Sequence, residues 1–99
     1  MSIENQSLPI PDEVLLEEET EVAELARVWW CRNRPQMTIR PAARDPRLIG
    51  LILAELAWNY SNAYERAVGM DPEKAFSDIL AGWQDGLEMV AETKARAAK

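Results

Sequence analysis

No histidine occurs anywhere in these 99 residues, and Cys31 is the single cysteine. The first absence rules out Ser-His-Asp and Cys-His catalytic arrangements, and with them any zinc or iron site with a histidine ligand drawn from this chain alone. The second rules out an intramolecular disulfide and leaves a thiolate metal cage or iron–sulfur cluster only to several chains acting together. No apolar run approaches the roughly 20 residues that a membrane-spanning helix needs. The N-terminus, MSIENQSLPIPDE, lacks the basic-then-apolar order of an export signal, so a cytoplasmic protein without membrane contact is expected. Glycine is scarce, at Gly50, Gly69, Gly82 and Gly86, and no Gly-rich phosphate loop or internal repeat is present. Carboxylate, lysine or tyrosine chemistry has no distinguishing spacing. Glu55, close to Trp58 on one helix, is the nearest thing to a catalytic carboxylate and would need burial to become one. No enzyme activity, cofactor, metal or catalytic residue is therefore expected.

Basic residues are missing from the whole first quarter of the chain. Residues 1–26 hold eight acids (Glu4, Asp12, Glu13, Glu17, Glu18, Glu19, Glu21, Glu24) and no Lys or Arg, whereas residues 27–47 hold six arginines (Arg27, Arg32, Arg34, Arg40, Arg44, Arg47) against Asp45 alone. The net charge of −6 argues against general nucleic-acid binding, while the arginine segment keeps an anion site open. Residues 1–23 read as an extended, acidic arm. Pro9-Ile10-Pro11 is unsuited to a helix interior, Asp12 is placed to cap a short turn through Leu16, and Glu17–Glu21 is a self-repelling surface connection.

What the chain does have is β-branched and aromatic residues in one stretch and helical periodicity in two. About 24–31 (ELARVWWC) and 36–40 (QMTIR) read as the strands of an antiparallel hairpin, with Arg32-Asn33-Arg34-Pro35 as a four-residue loop. That register sets Cys31 against Gln36, Val28 against Ile39 and Arg27 against Arg40. One face is then wholly apolar (Val28, Trp30, Met37, Ile39), and the other carries Arg27, Trp29, Cys31, Gln36, Thr38 and Arg40. Two arginines directly opposed need something negative between them: solvent counterions, an acid from residues 17–24, or an external anion.

About 46–68 reads as a helix that opens with Asp45 as N-cap and Pro46 at the first position and closes at Gly69. Ile49, Ile52, Leu53, Leu56, Tyr60, Ala63 and Ala67 share the side expected to meet the hairpin. Gly50, Ala54, Ala57 and Ser61 form a strip of small residues, and Leu51 and Trp58 occupy a third side. About 72–94 repeats the capping chemistry with Asp71-Pro72 and carries Phe76, Ile79, Leu80, Trp83, Leu87 and Val90 on one stripe. Gly82 and Gly86, four apart, match the small strip and predict close antiparallel packing there. Residues 95–99 are expected to fray.

The succession Leu8-Pro9-Ile10-Pro11, Leu25-Ala26-Arg27-Val28-Trp29, Ile39-Arg40-Pro41, Asp45-Pro46 and Gly50 to Ala57 (GLILAELA) resembles a bacterial, chiefly alphaproteobacterial family called domain of unknown function 5076, over about residues 8–90. Ile49 and Asn59 stand where the family pattern has Trp and His, so any role of that histidine is absent here. The resemblance implies a small α+β two-layer domain and supplies no activity.

The expected architecture is therefore α+β: a hairpin packed on two long helices as one domain, residues 24–94. A two-stranded hairpin is marginal alone, and Trp29, Leu51 and Trp58 are candidate interface residues, so a self-associating homodimer is the expected unit. The alternative is an anion or single-stranded nucleic-acid binding module using Arg27, Arg40, Arg44 and Arg47, with Trp29 as a stacking surface.

Overall fold

The computed structural model describes residues 2–41 and 45–98. Its element order is α1 (Asp12–Leu15), β1 (Ala26–Cys31), β2 (Arg34–Ile39), α2 (Pro46–Val68) and α3 (Pro72–Ala97), with 3-10 turns at Ile3–Gln6 and Glu19–Glu21. The class is α+β, as expected. The chain divides into two compact units, Met1–Arg44 and Asp45–Lys99.

In the first unit the arm is less extended than its prolines suggest. Ser2 Oγ accepts from the Glu4 N–H at 3.1 Å and starts a 3-10 turn. Asp12 begins α1 but does not cap it: Pro11 holds the cap position and no side-chain cap bond forms. Glu17–Glu21 is exposed throughout.

The strands pair antiparallel, and here the register differs from expectation. Cys31 faces Arg34, Trp29 faces Gln36, Val28 faces Met37 and Arg27 faces Thr38. The loop is the two residues Arg32 and Asn33, with φ of 52° and 61°. Positive φ at both central positions is the signature of a type I′ turn, whose twist matches that of the flanking strands; asparagine takes this conformation readily. Arg34 and Pro35 thus belong to β2. The slip is two residues, an even number, so the partition of faces survives. Val28, Trp30, Met37 and Ile39 still share one side, and Arg27, Trp29, Gln36 and Thr38 the other.

Pro35 fits within a strand because of the alternation of the ladder. The Arg40 N–H donates to Leu25 O at 2.8 Å, so 25 and 40 form a hydrogen-bonded pair. Counting from there, 27/38, 29/36 and 31/34 are bonded pairs and 26/39, 28/37 and 30/35 are not. Pro35 therefore occupies a position whose nitrogen points away from β1, where a missing N–H costs no ladder bond.

In the second unit both helix starts are built as expected. Asp45 Oδ1 accepts from the Arg47 N–H at 3.0 Å and Asp71 Oδ1 from the Glu73 N–H at 3.2 Å, each with proline following the cap. Gly69, at φ 71°, ends α2: its N–H donates to Glu65 O at 2.9 Å, the 5→1 bond of an αL cap, and the Met70 N–H donates to Tyr64 O at 3.4 Å. The three-residue connection turns α3 back along α2. α3 runs to Ala97, three residues past its expected end, with Lys94 and Arg96 in the last turn where cations suit the helix dipole.

The helices meet on small side chains. Ser61 is 0% exposed and Ala75 2%. The Ser61 hydroxyl is satisfied within its own helix by donating to Ala57 O at 2.9 Å. Gly82 and Gly86 are not points of close approach: a Cβ at either would meet nothing within 4 Å, so the contact is tightest near the connection and Ser61, not at the glycines. On the other side of the small strip Trp58 packs edge-on against Phe76, ring centroids 5.4 Å apart.

Gly82→Ala is accordingly expected to raise stability by roughly 0.5–1 kcal/mol, because it adds helix propensity without a clash. Ala75→Leu is expected to lower it by about 1–3 kcal/mol through overpacking. Urea unfolding followed by helical circular dichroism checks both; equal effects of the two substitutions would contradict this packing.

Candidate functional site

The arginine-bearing end of the hairpin holds a concavity with polar and charged side chains at its rim. The true register moves Arg27 opposite Thr38 and brings Arg40 opposite Leu25. The two arginines are diagonal neighbours instead of a directly opposed pair, which removes the like-charge conflict of the expected register. A pocket of ≈ 200 Å³ opens at this end of the hairpin, lined by Glu24, Leu25, Ala26, Arg27, Thr38, Ile39 and Arg40.

Glu24 is the residue that sequence reasoning placed only within a range. Both its carboxylate oxygens lie 3.1 Å from Arg27 Nε. Of the three possible neighbours for Arg27, an acid from the 17–24 segment is therefore the one in place. The bridge spans three residues of extended chain, and both side chains are more than half exposed, so it contributes no more than about 1 kcal/mol and yields readily to a competing anion. Arg47 belongs to the helical unit, where its backbone N–H closes the α2 cap. Arg44 lies outside the described residues. Of the four candidate anion-binding arginines, Arg27 and Arg40 are thus brought to one rim. Trp29, on the same side of the hairpin, is half-buried.

A second concavity, of ≈ 410 Å³, is lined by Ala54, Glu55, Trp58 and Asn59 on α2. Glu55 is exposed, so the buried carboxylate that would mark a catalytic group is not formed. Among the described residues no three of His, Cys, Asp or Glu are grouped to hold a metal ion, and no helix is long and apolar enough to cross a membrane.

The apolar surface is more prominent than either pocket. On the hairpin, Val28 is 64% and Trp30 73% exposed, and Met37 and Ile39 are also open. On the helix pair the Trp58–Phe76 contact fixes which sides share a surface. Leu51 lies seven residues before Trp58 and Trp83 seven after Phe76, so in antiparallel helices they stand level, about 10 Å further along. Leu51, Trp58, Leu80, Trp83 and Leu87 form one exposed strip across both helices. The α2 side bearing Ile52, Leu53, Leu56 and Tyr60 is separate from it and exposed as well. The partnership of Leu51 and Trp58 with the α3 stripe was within reach of the sequence, because the antiparallel count from the Gly69 connection pairs them; what was missing was the level of contact, set by Ser61 and Ala75.

Comparison with curated proteins gives no match. Among solved structures, one described as "a putative pyruvate dehydrogenase from the photosynthetic bacterium Rhodopseudomonas palustrus" CGA009 is similar, with a TM-score of 0.62 and 22% identity over 83% of this chain and 93% of that one. At that identity the likeness is one of fold. The family model described as Domain of unknown function (DUF5076) matches residues 7–90, nearly the full length, and the chain belongs to that family.

Proposed function

We propose that this chain is a non-catalytic, homodimeric structural or interaction module whose subunits cover one another's apolar faces. The observation that carries the reading is the open hairpin face of Val28, Trp30, Met37 and Ile39, every member exposed. Large contiguous apolar surfaces on a folded chain mark interaction sites, and aromatic anchors such as Trp30, Trp58 and Trp83 are the residues enriched there. Extent points to a second copy as the cover. A ribbon of six-residue strands is about 20 Å long, while helices of 23 and 26 residues are about 35 and 39 Å long. A second copy of the chain presents to each of these elements an apolar face of the same length. The reaction named for the similar solved structure is not carried over, because fold likeness hosts many functions.

A second reading rests on the Arg27–Thr38–Arg40 rim: an anion site, selective for phosphate-bearing chains, normally held shut by Glu24. It ranks lower because Glu24 already occupies Arg27.

Native mass spectrometry and sedimentation at micromolar protein are expected to give a dimer of the 11.2 kDa chain, with a Tm that rises with concentration. Trp83→Glu is expected to weaken that dimer by about 30-fold, the loss of a central aromatic anchor. A clean monomer with concentration-independent stability removes the reading. For the anion site, Glu24→Gln is expected to strengthen polyphosphate binding several-fold at low salt, with affinity falling steeply as salt is added; absence of binding in both proteins ends it.

A further inference from the structure

We infer that two copies join edge to edge through β1, antiparallel about Val28, to make a four-stranded sheet ordered β2-β1-β1-β2. The inference rests on the homodimer reading and names its seam. Its basis is the unequal state of the hairpin's two edges. The alternation anchored by the Arg40 to Leu25 bond points the N–H and C=O groups of Ala26, Val28 and Trp30 outward from β1, and those of residues 35, 37 and 39 outward from β2. No hydrogen bond among the described residues engages the outward groups of Ala26, Val28 or Trp30. Each of the three has its N–H, so β1 offers an unbroken row of donors and acceptors.

The β2 edge is different. Pro35 has no N–H at the first outward position, and the strand is flanked by Arg34 at one end and Arg40-Pro41 at the other. Prolines and charges are the devices that keep a strand edge from pairing. ARVWWC has no proline, its one charged residue, Arg27, has its backbone groups turned toward β2, and the rest of the strand is rich in the residues that favour pairing.

Register follows from the side chains. The ladder positions 25–31 have Val28 at their centre, so pairing about Val28 uses the whole strand. It sets Ala26 against the partner's Trp30 and Arg27 against the partner's Trp29, where guanidinium and indole attract. Centring on Arg27 would instead oppose Arg27 to the partner's Arg27, a repulsive pair. A one-residue slip would mix the apolar and polar faces. About Val28, the apolar faces of both hairpins merge into one, and four strands exceed the minimum that makes a sheet stable.

The test uses proline where the hairpin itself tolerates it. Val28→Pro removes an outward N–H and leaves the bonds to β2, as Pro35 already does on the other strand. It is expected to weaken the full-length dimer by about 100-fold or more, while Met37→Pro, outward on β2, leaves the dimer intact. A Val28→Pro dimer of unchanged affinity overturns the seam while keeping the homodimer; a monomeric wild-type chain overturns both. Should Val28→Pro fail to fold, the wild-type protein decides. Isotope-mixed dimers are expected to show an interchain contact between the Hα protons of Arg27 and Trp29, and interchain contacts confined to the helices contradict the inference.

Discussion

Three residues with left-handed backbone, Arg32, Asn33 and Gly69, reverse the chain once in each unit, and every pairing described above depends on those reversals. A right-handed conformation at Asn33 would replace the tight turn by a longer loop and shift β2 along β1. A right-handed residue 69 would let α2 run on past its end. The cost of left-handed backbone is about 1–2 kcal/mol for a residue with a Cβ, and glycine avoids it. Gly69 therefore closes the helical unit without strain, while the hairpin turn carries two side-chain-bearing residues in the same region and depends on the ladder to hold them.

The second organising fact is the division of labour around α2. Small residues and Trp58 meet α3, and the other large side chains of α2 look elsewhere. Ser61 lies about 180° around the helix from Ile52. The helix pair thus buries alanine and serine most deeply in its internal contact, adds the edge-on Trp58–Phe76 pair at its margin, and leaves Ile52, Leu53, Leu56 and Tyr60 for other surfaces. Such a design gives a close but weakly stabilising internal seam, because the apolar area removed from water there is small. Stability from further burial must come from what those larger side chains meet.

Much of this was legible in the chain. The limits of α2 follow from Asp45-Pro46 and Gly69, each with its own local chemistry, and the start of α3 from Asp71-Pro72. The faces of the hairpin follow from strict alternation, which is why a register error of two residues left them intact. The error itself came from reading Pro35 as a turn residue. Proline is excluded from a strand only where its nitrogen must donate, and which positions those are depends on the turn. The candidate site was legible in part. Arg27 and Arg40 were expected together, but as an opposed pair, and Glu24 stood within a run of acids that nothing local ranked. The glycines of α3 misled for a related reason: Gly82 and Gly86 have a spacing that suits close packing, yet the level at which two helices touch is set by their connection, and it lies near Ser61 and Ala75.

Pro35 has a further consequence. Edge pairing is open-ended when both margins of a sheet can accept another strand, and identical chains then add without limit into a fibre. A hairpin with one complete margin and one interrupted by an imino acid offers a single productive encounter. In the proposed dimer self-recognition would be terminated by the product, and the residue that looks like a flaw in β2 would be the stop that limits growth of a tryptophan-rich ribbon.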